Sequence, residues 1–113
     1  WNLLMGRLNR PEEPRFCGLV RYDLERDRCT TYHEGIHKWF GEAPFAPKDG
    51  WQKEDDGYLV GFVWDELKQA SFVAIFDAAD IAMGPVARIR VPQRVPHGFH
   101  ATWVSAERLQ RGW

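Results

Sequence analysis

Two histidines, His97 and His100, lie near the end of the chain beside Pro96 and Gly98. A neutral imidazole can ligate a borderline metal such as iron or zinc. The apolar run 99–104 predicts a short strand, and side chains three residues apart on a strand point to opposite faces. The two rings therefore cannot readily bind one metal together. Because His97 belongs to the turn and His100 has aromatic neighbours, we expect His100 to face inward and the other ligands to come from elsewhere.

Other polar clusters are weaker candidates for a metal site. His33 and His37 have the i,i+4 spacing that would suit a metal site on a helix, but Gly35 and the neighbouring loop argue against a helix. We expect both to be surface histidines. The acidic run 54–56 lacks the alternating oxygen ligands and the following glutamate of an EF-hand. It predicts a solvated turn.

Composition limits the function classes. The 113 residues suffice for one small domain, and a net charge of -1 without an arginine cluster argues against nucleic-acid binding. We see no stretch long enough for a membrane span and no signal peptide, and we expect a cytoplasmic protein. Cys17 and Cys29 predict two reduced, buried thiols. The first residue is not Met and the sequence stops abruptly at Trp113, so we expect a fragment.

The elements that must position His100 are predicted to be strands. Residues 1–15 show no clean period and contain a Pro-Glu-Glu-Pro run, which predicts an irregular connector, whereas 16–104 predict β-strands divided by turns. Residues 78–83 predict one helical turn, ended by Gly84-Pro85. The predicted strands are 16–24, 28–33, 43–47, 58–64, 71–77, 86–91 and 99–104.

Alternation along these strands indicates how they are layered. Strands 58–64 and 71–76 are apolar on both faces, so we expect each to be covered on both sides and the two to pair antiparallel. Strand 86–91 should pair with the second of them as an outer strand. Its expected inward residues are Ala87, Ile89 and Val91, with Arg88 and Arg90 in solvent. This pattern suits one blade of a β-propeller, and a β-sandwich would explain it equally well.

Four segments in unbroken order carry a family resemblance: EDDGYLVGFV at 54–63, FDAAD at 76–80, GPVARIRVP at 84–92 and the run 95–104. Over residues 17–104 the chain resembles the C-terminal part of the carotenoid cleavage oxygenases, a family that includes the lignostilbene dioxygenases. The resemblance implies an all-β fold. The whole of 1–113 would be the C-terminal portion, about one blade plus flanking strands, of a seven-bladed β-propeller domain.

The resemblance also implies a chemistry. It implies a non-haem iron ion, Fe(II) (that is, Fe(2+)), which lies on the propeller axis and is bound by four histidines. The partners would be O2 and a hydrophobic substrate, a carotenoid, an apocarotenoid or a stilbene, whose C=C bond is cleaved to give two carbonyl products. Any peripheral membrane contact would be made through parts of the protein outside this chain.

Two residues match the site of that family. His100, in Gly-Phe-His, matches the last of the four iron ligands, while the other three ligands have no counterpart here. Glu42 matches a glutamate that holds a ligand histidine, and a carboxylate that accepts the far N–H fixes the tautomer and aim of the ring. Ala101 stands where glycine is usual, and Ala43-Pro44 replaces an immediate Glu-Pro. The resemblance implies no catalytic residue beyond this metal site.

Two alternatives to the dioxygenase remain open. The chain could be a catalytically silent propeller or sandwich segment with a structural or binding role. A metal-dependent hydrolase would require Asp, Asn and Glu ligands at strand ends, and we find no such set. If the dioxygenase prediction is right, residues 1–113 alone supply one ligand and leave apolar strands uncovered. We therefore expect the isolated chain to be poorly soluble or partly unfolded, and inactive.

Overall fold

The first of two antiparallel sheets contains the N-terminal strands. The computed structural model describes residues 1–6 and 15–112. Strands β1 (Asn2–Gly6), β2 (Arg15–Asp23) and β3 (Arg28–His33) form this sheet in that order. Strand β1 corrects the prediction of an irregular connector over 1–15, whose Pro-Glu-Glu-Pro run lies outside the described residues. Residues 2–6 carry no alternation of their own, and pairing with β2 makes them a strand.

The second sheet has five strands but is four strands wide, as a propeller blade is, because β4 and β5 share one edge. Strands β6 and β7 form its centre and β8 is the other edge. Strands β4 and β5 pair with the two ends of β6. The predicted antiparallel pairing of the three long strands is confirmed. A 3-10 turn at Ile81–Met83, ended by Gly84, confirms the predicted helical turn. The strand bounds are β4 Lys38–Phe40, β5 Phe45–Pro47, β6 Gly57–Asp65, β7 Ala70–Asp77 and β8 Pro85–Val91.

The core lies between the two sheets. Leu59 of β6 is only 1% exposed and packs with Phe76 of β7 and Leu19 of β2. The opposite face of the second sheet is open, and Phe62 on that face is 48% exposed. The expectation that 58–64 and 71–76 are covered on both sides therefore holds for one side of the second sheet within the part of the chain that the structure describes. The open face is apolar and lacks a full covering layer there.

The outer strand β8 differs from its prediction. Arg88 pairs with Ala74, whose side chain lies on the covered face, so Arg88 points toward the first sheet and forms an ion pair with Glu34. The expected inward residue Ile89 lies on the open face and is 55% exposed. Arg88 is exposed, as predicted, and its long guanidinium also reaches the Glu34 carboxylate beside β3.

Two further predictions are corrected. Cys17 is buried and Cys29 is exposed, and both are free thiols, so the prediction that both are buried is wrong for Cys29. It lies on β3, at the edge of its sheet. Residues 99–104 form no strand. We call 92–104 the return segment; it is irregular and is followed by helix α1 (Ala106–Gln110), whose N-cap Ser105 accepts a hydrogen bond from the Arg108 N–H.

The return segment stays irregular for a local reason. Pro92 and Pro96 have no N–H to donate to a strand partner, and Gly98 adds conformational freedom. The apolar residues after them find no neighbouring strand edge among the described residues.

No helix in the described ranges is long and apolar enough to cross a membrane.

Candidate metal centre

Glu42 lies in a bulge between two short strands. Phe40, the last residue of β4, pairs with Val63, and Phe45, the first residue of β5, pairs with Leu59. Four residues on one side, 41–44, therefore face three residues on the other side, 60–62. The Gly41 N–H donates to the Phe62 carbonyl at 2.8 Å, and the Pro44 carbonyl accepts from the Val60 N–H at 3.1 Å, so the extra residue is accommodated between these bonds. Bulges of this kind re-aim a side chain beside a functional site.

Gly61 allows that bulge to lie against β6. A Cβ atom at this position would be 3.0 Å from the Glu42 carbonyl oxygen and 3.0 Å from the Ala43 Cβ. Any larger residue would have to push the bulge away from the sheet. The sequence analysis gave Gly61 no role, and a glycine inside an otherwise apolar strand was the available signal for a close backbone approach.

The Glu42 carboxylate binds two donors of the return segment. His100 Nδ1 lies 3.1 Å from Glu42 Oε1, and the Ala101 N–H donates to Glu42 Oε2 at 2.7 Å. These bonds, the backbone one first, hold the pKa of Glu42 below its usual range. An ionised Glu42 is an acceptor only, so Nδ1 of His100 donates in this bond, and in the neutral form of the ring Nε2 carries the lone pair.

The chemistry of this pair fits one imidazole ligand of a metal. The neutral ring presents Nε2 as its donor atom, and the side chain is 89% exposed, which leaves room for a metal and for ligands from elsewhere. No group of three or more His, Cys, Asp or Glu side chains within residues 1–6 and 15–112 could hold a metal by itself. His100 would hold the predicted iron as one ligand among several, with Glu42 behind it.

The other histidines lie apart from this pair. His97 packs edge-on against Trp39, with ring centroids 6.1 Å apart, whereas His100 contacts Glu42. His33 and His37 are exposed, as predicted, and His37 Nδ1 lies 3.0 Å from Glu66 Oε2. The acidic run 54–56 is a turn, in which Asp55 forms an ion pair with an arginine of β2 at 2.8 Å.

A mainly apolar cavity of about 250 Å³ lies between the return segment and the second sheet. Trp39 and Trp64 line it from the sheet, and Pro96, His97 and His100 line it from the return segment. The His100 ring thus borders an apolar space, where a hydrocarbon chain would be favourably buried.

Comparison with known sequences gives a consistent set of relatives. The family model described as retinal pigment epithelial membrane protein matches residues 4–105. The chain is 39% identical over 97 residues to a chloroplastic 9-cis-epoxycarotenoid dioxygenase of Arabidopsis thaliana, covering 86% of this chain and 16% of the relative. It is 43% identical over 108 residues to carotenoid 9,10(9',10')-cleavage dioxygenase 1 of Pisum sativum, covering 82% and 20%. The chain thus spans about a sixth to a fifth of the length of these curated relatives.

Solved structures give the same result for the fold. A cobalt-substituted Synechocystis ACO matches with a TM-score of 0.77 and 25% identity, over 87% of this chain and 21% of that chain. A variant of Synechocystis apocarotenoid oxygenase matches with a TM-score of 0.77 and 27% identity, over 81% and 19%. The likeness confirms the β-propeller prediction over the β-sandwich, and this chain forms part of such a propeller.

Proposed function

The chain belongs to the retinal pigment epithelial membrane protein family, that of the carotenoid cleavage oxygenases, and from this premise we propose that it is the C-terminal part of a non-haem Fe(II) dioxygenase. The full-length protein cleaves a C=C bond of a carotenoid or apocarotenoid with O2, and each of the two carbons receives one oxygen atom as a carbonyl. His100 is one iron ligand, and Glu42 holds its ring.

The observation that carries this proposal is the carboxylate–imidazole pair. Glu42 and His100 are 58 positions apart in sequence and meet at 3.1 Å, in the arrangement in which a carboxylate orients a metal-binding histidine. His37 has a comparable carboxylate partner in Glu66, but the Glu42–His100 pair borders the apolar cavity. The bond leaves Nε2 as the donor atom, and the same carboxylate holds the backbone of the next residue.

Bound iron would supply the site for O2 activation. This chain's own residues orient the imidazole and shape the apolar surface beside it. With neutral histidines as its only ligands, a bound metal would keep its full charge, and the Glu42 carboxylate would increase the donor strength of the His100 ring.

The substrate class follows from the cavity and from the relatives. The cavity wall is mainly apolar and aromatic, which suits a conjugated hydrocarbon. The names of the relatives specify carotenoids and epoxycarotenoids. We therefore propose a polyene as the substrate in preference to a stilbene.

Replacing His100 or His97 by Ala in the full-length protein tests the assignment, and the two variants are matched because both histidines lie in the return segment. Iron per protein chain and the carbonyl products of a carotenoid and an apocarotenoid would be measured under air. We expect His100→Ala to lose iron and cleavage and His97→Ala to keep iron. Loss of iron in His97→Ala with retention in His100→Ala would show that the ligand is misassigned. An unmodified protein that binds no iron and cleaves neither polyene would favour the silent structural alternative.

The isolated chain provides a second test. Residues 1–113 supply one ligand and cover the open face of the second sheet only in part, so the isolated chain should be poorly soluble or partly unfolded, and inactive. Tight, stoichiometric iron binding by this chain alone, measured by equilibrium dialysis, would contradict the proposal that the other ligands lie elsewhere.

A further inference from the structure

The return segment crosses the open face of the second sheet above one row of paired residues. Trp39 of β4 pairs with Trp64 of β6, Trp64 pairs with Ser71 of β7, and Ser71 pairs with Val91 of β8. Directly paired residues project to the same face, so these four side chains form a continuous cross-strand row. The row runs from the strand where the return segment begins to the strand beside Glu42.

Three contacts place the return segment on this row. The Arg94 guanidinium lies 4.9 Å from the Trp64 ring, the Val95 N–H donates to Ser71 Oγ at 2.9 Å, and His97 packs against Trp39. The segment then reaches Glu42, which accepts from the N–H of Ala101.

Within the described ranges, no backbone–backbone hydrogen bond involves residues 92–104. Side-chain acceptors take the place of backbone partners. Ser71 accepts from the Val95 N–H near the start of the return segment, and Glu42 accepts from the Ala101 N–H just after His100. Ser71 is 2% exposed and is the one hydroxyl in the otherwise apolar stretch 70–76. A buried hydroxyl is costly unless it is hydrogen-bonded, so this bond satisfies both Ser71 and Val95.

We infer that Ser71 is a positioning residue for His100, acting through Val95, and this inference rests on the proposed function of His100. Ser71 fixes the start of the stretch 95–101 on the sheet, and Glu42 fixes its end. The imidazole between these two anchors is thereby held against the sheet although it lies on irregular, exposed backbone. Without Ser71, the backbone before the ring would be held only by the side-chain contacts of Arg94 and His97.

Hydrogen exchange of the metal-free, full-length protein tests the anchor independently of metal binding. Ser71→Ala keeps the strand and removes the acceptor. We expect amide exchange in peptides covering 94–101 to rise about fivefold, the effect of losing one neutral hydrogen bond. Ser71→Thr retains a hydroxyl and should preserve the protection. Ser105→Ala removes the hydroxyl that caps α1, just beyond the return segment, and should leave 94–101 unchanged.

Iron retention then tests the consequence for His100. Iron remaining after dialysis against a chelator should fall about two- to tenfold in Ser71→Ala, less than the effect of removing the direct partner Glu42. It should be unchanged in Ser71→Thr and in Ser105→Ala.

Four results would overturn the inference: unchanged exchange in 94–101, equally fast exchange in Ser71→Ala and Ser71→Thr, faster exchange throughout β6 and β7, or unchanged iron retention despite faster exchange. Failure of the underlying function would be visible separately, because His100→Ala would then retain its iron whatever Ser71 does.

Discussion

The second sheet and the return segment hold their backbones in different ways. In the sheet, β6 and β7 pair without interruption from Tyr58 to Asp65 along β6, and their N–H and C=O groups bond to one another. In the return segment, the N–H groups of Val95 and Ala101 donate to side chains of the sheet. The sheet is a repetitive structure, while the return segment depends on single residues.

This difference has a consequence for mutations. The stability of the second sheet is distributed over many backbone hydrogen bonds and a shared core. Substitutions in that core should therefore destabilise the whole fold. An anchor at one atom affects one short segment, so its loss should change metal binding with little effect on unfolding. Stability and metal affinity should therefore respond to different residues of this chain.

The largest effect on folding is expected at the centre of the core. Phe76 is 1% exposed and contacts Tyr32 and Phe40. Phe76→Ala should lower the free energy of unfolding of the full-length protein by about 3–5 kcal/mol, because it leaves a cavity. Leu67→Ala, in an exposed turn, is the control and should change it by less than about 0.5 kcal/mol. Chemical denaturation followed by circular dichroism would measure both, and equal effects would contradict the assignment of the core.

The next effect tests the anchor at Glu42. A glutamine side chain has one acceptor oxygen, whereas Glu42 accepts from both His100 and Ala101, so Glu42→Gln must turn its NH2 group toward one of these donors. We expect iron affinity to fall about 10–100-fold. The unfolding midpoint should change little. A Glu42→Gln protein that unfolds as readily as Phe76→Ala would show that the anchor and the fold are not separable.

A smaller effect, on the pH dependence of stability, is expected at Asp65, whose side chain anchors neighbouring residues within the second sheet. Asp65, at the end of β6, is 1% exposed, forms an ion pair with Lys38 and accepts the Lys68 N–H at 3.0 Å. Burial alone would raise the pKa of Asp65, but the bonds with Lys38 and Lys68 outweigh it and the pKa lies below its usual value.

Since this pKa is lowered in the folded state, the stabilisation is complete above the unfolded pKa, about 4, and is lost as the pH falls through the folded value. We expect a contribution of about 1–2 kcal/mol above pH 5. Thermal unfolding between pH 7 and 2.5 should show a shallower pH dependence for Asp65→Asn than for the unmodified protein. Asp49→Asn, at an exposed position, should retain the original slope. Identical slopes for all three proteins would refute the role of Asp65.

Prediction from the sequence succeeded where the structure repeats. Strand 28–33 was predicted with its observed bounds, and 58–64 and 71–77 were each short by one or two residues, because alternation of apolar residues is a local signal. Strand β1 and the three-residue β4 were missed, since their partners rather than their own sequences specify them.

The site was predictable only in part. Glu42 and His100 were identified by resemblance to a family, since no local pattern connects two residues 58 positions apart. Ser71 carried no signal: a serine in an apolar strand has no visible role until its partner Val95, 24 positions later, is known. The strand predicted over 99–104 failed because the residues described in the structure offer this apolar run no neighbouring strand edge to pair with.

The placement of Glu42 before β6 and of His100 after β8 also sets an order of events in time. Neighbouring strands such as β6 and β7 can close as a hairpin within microseconds. The contact between Glu42 and His100 closes a far longer loop, and its closure costs less entropy once the strands between them have formed. Unlike a zinc finger, in which the metal drives folding, the full-length protein would not need its metal to form this sheet. Iron capture would then mark the end of folding, and newly made protein would wait for its metal in an already folded state.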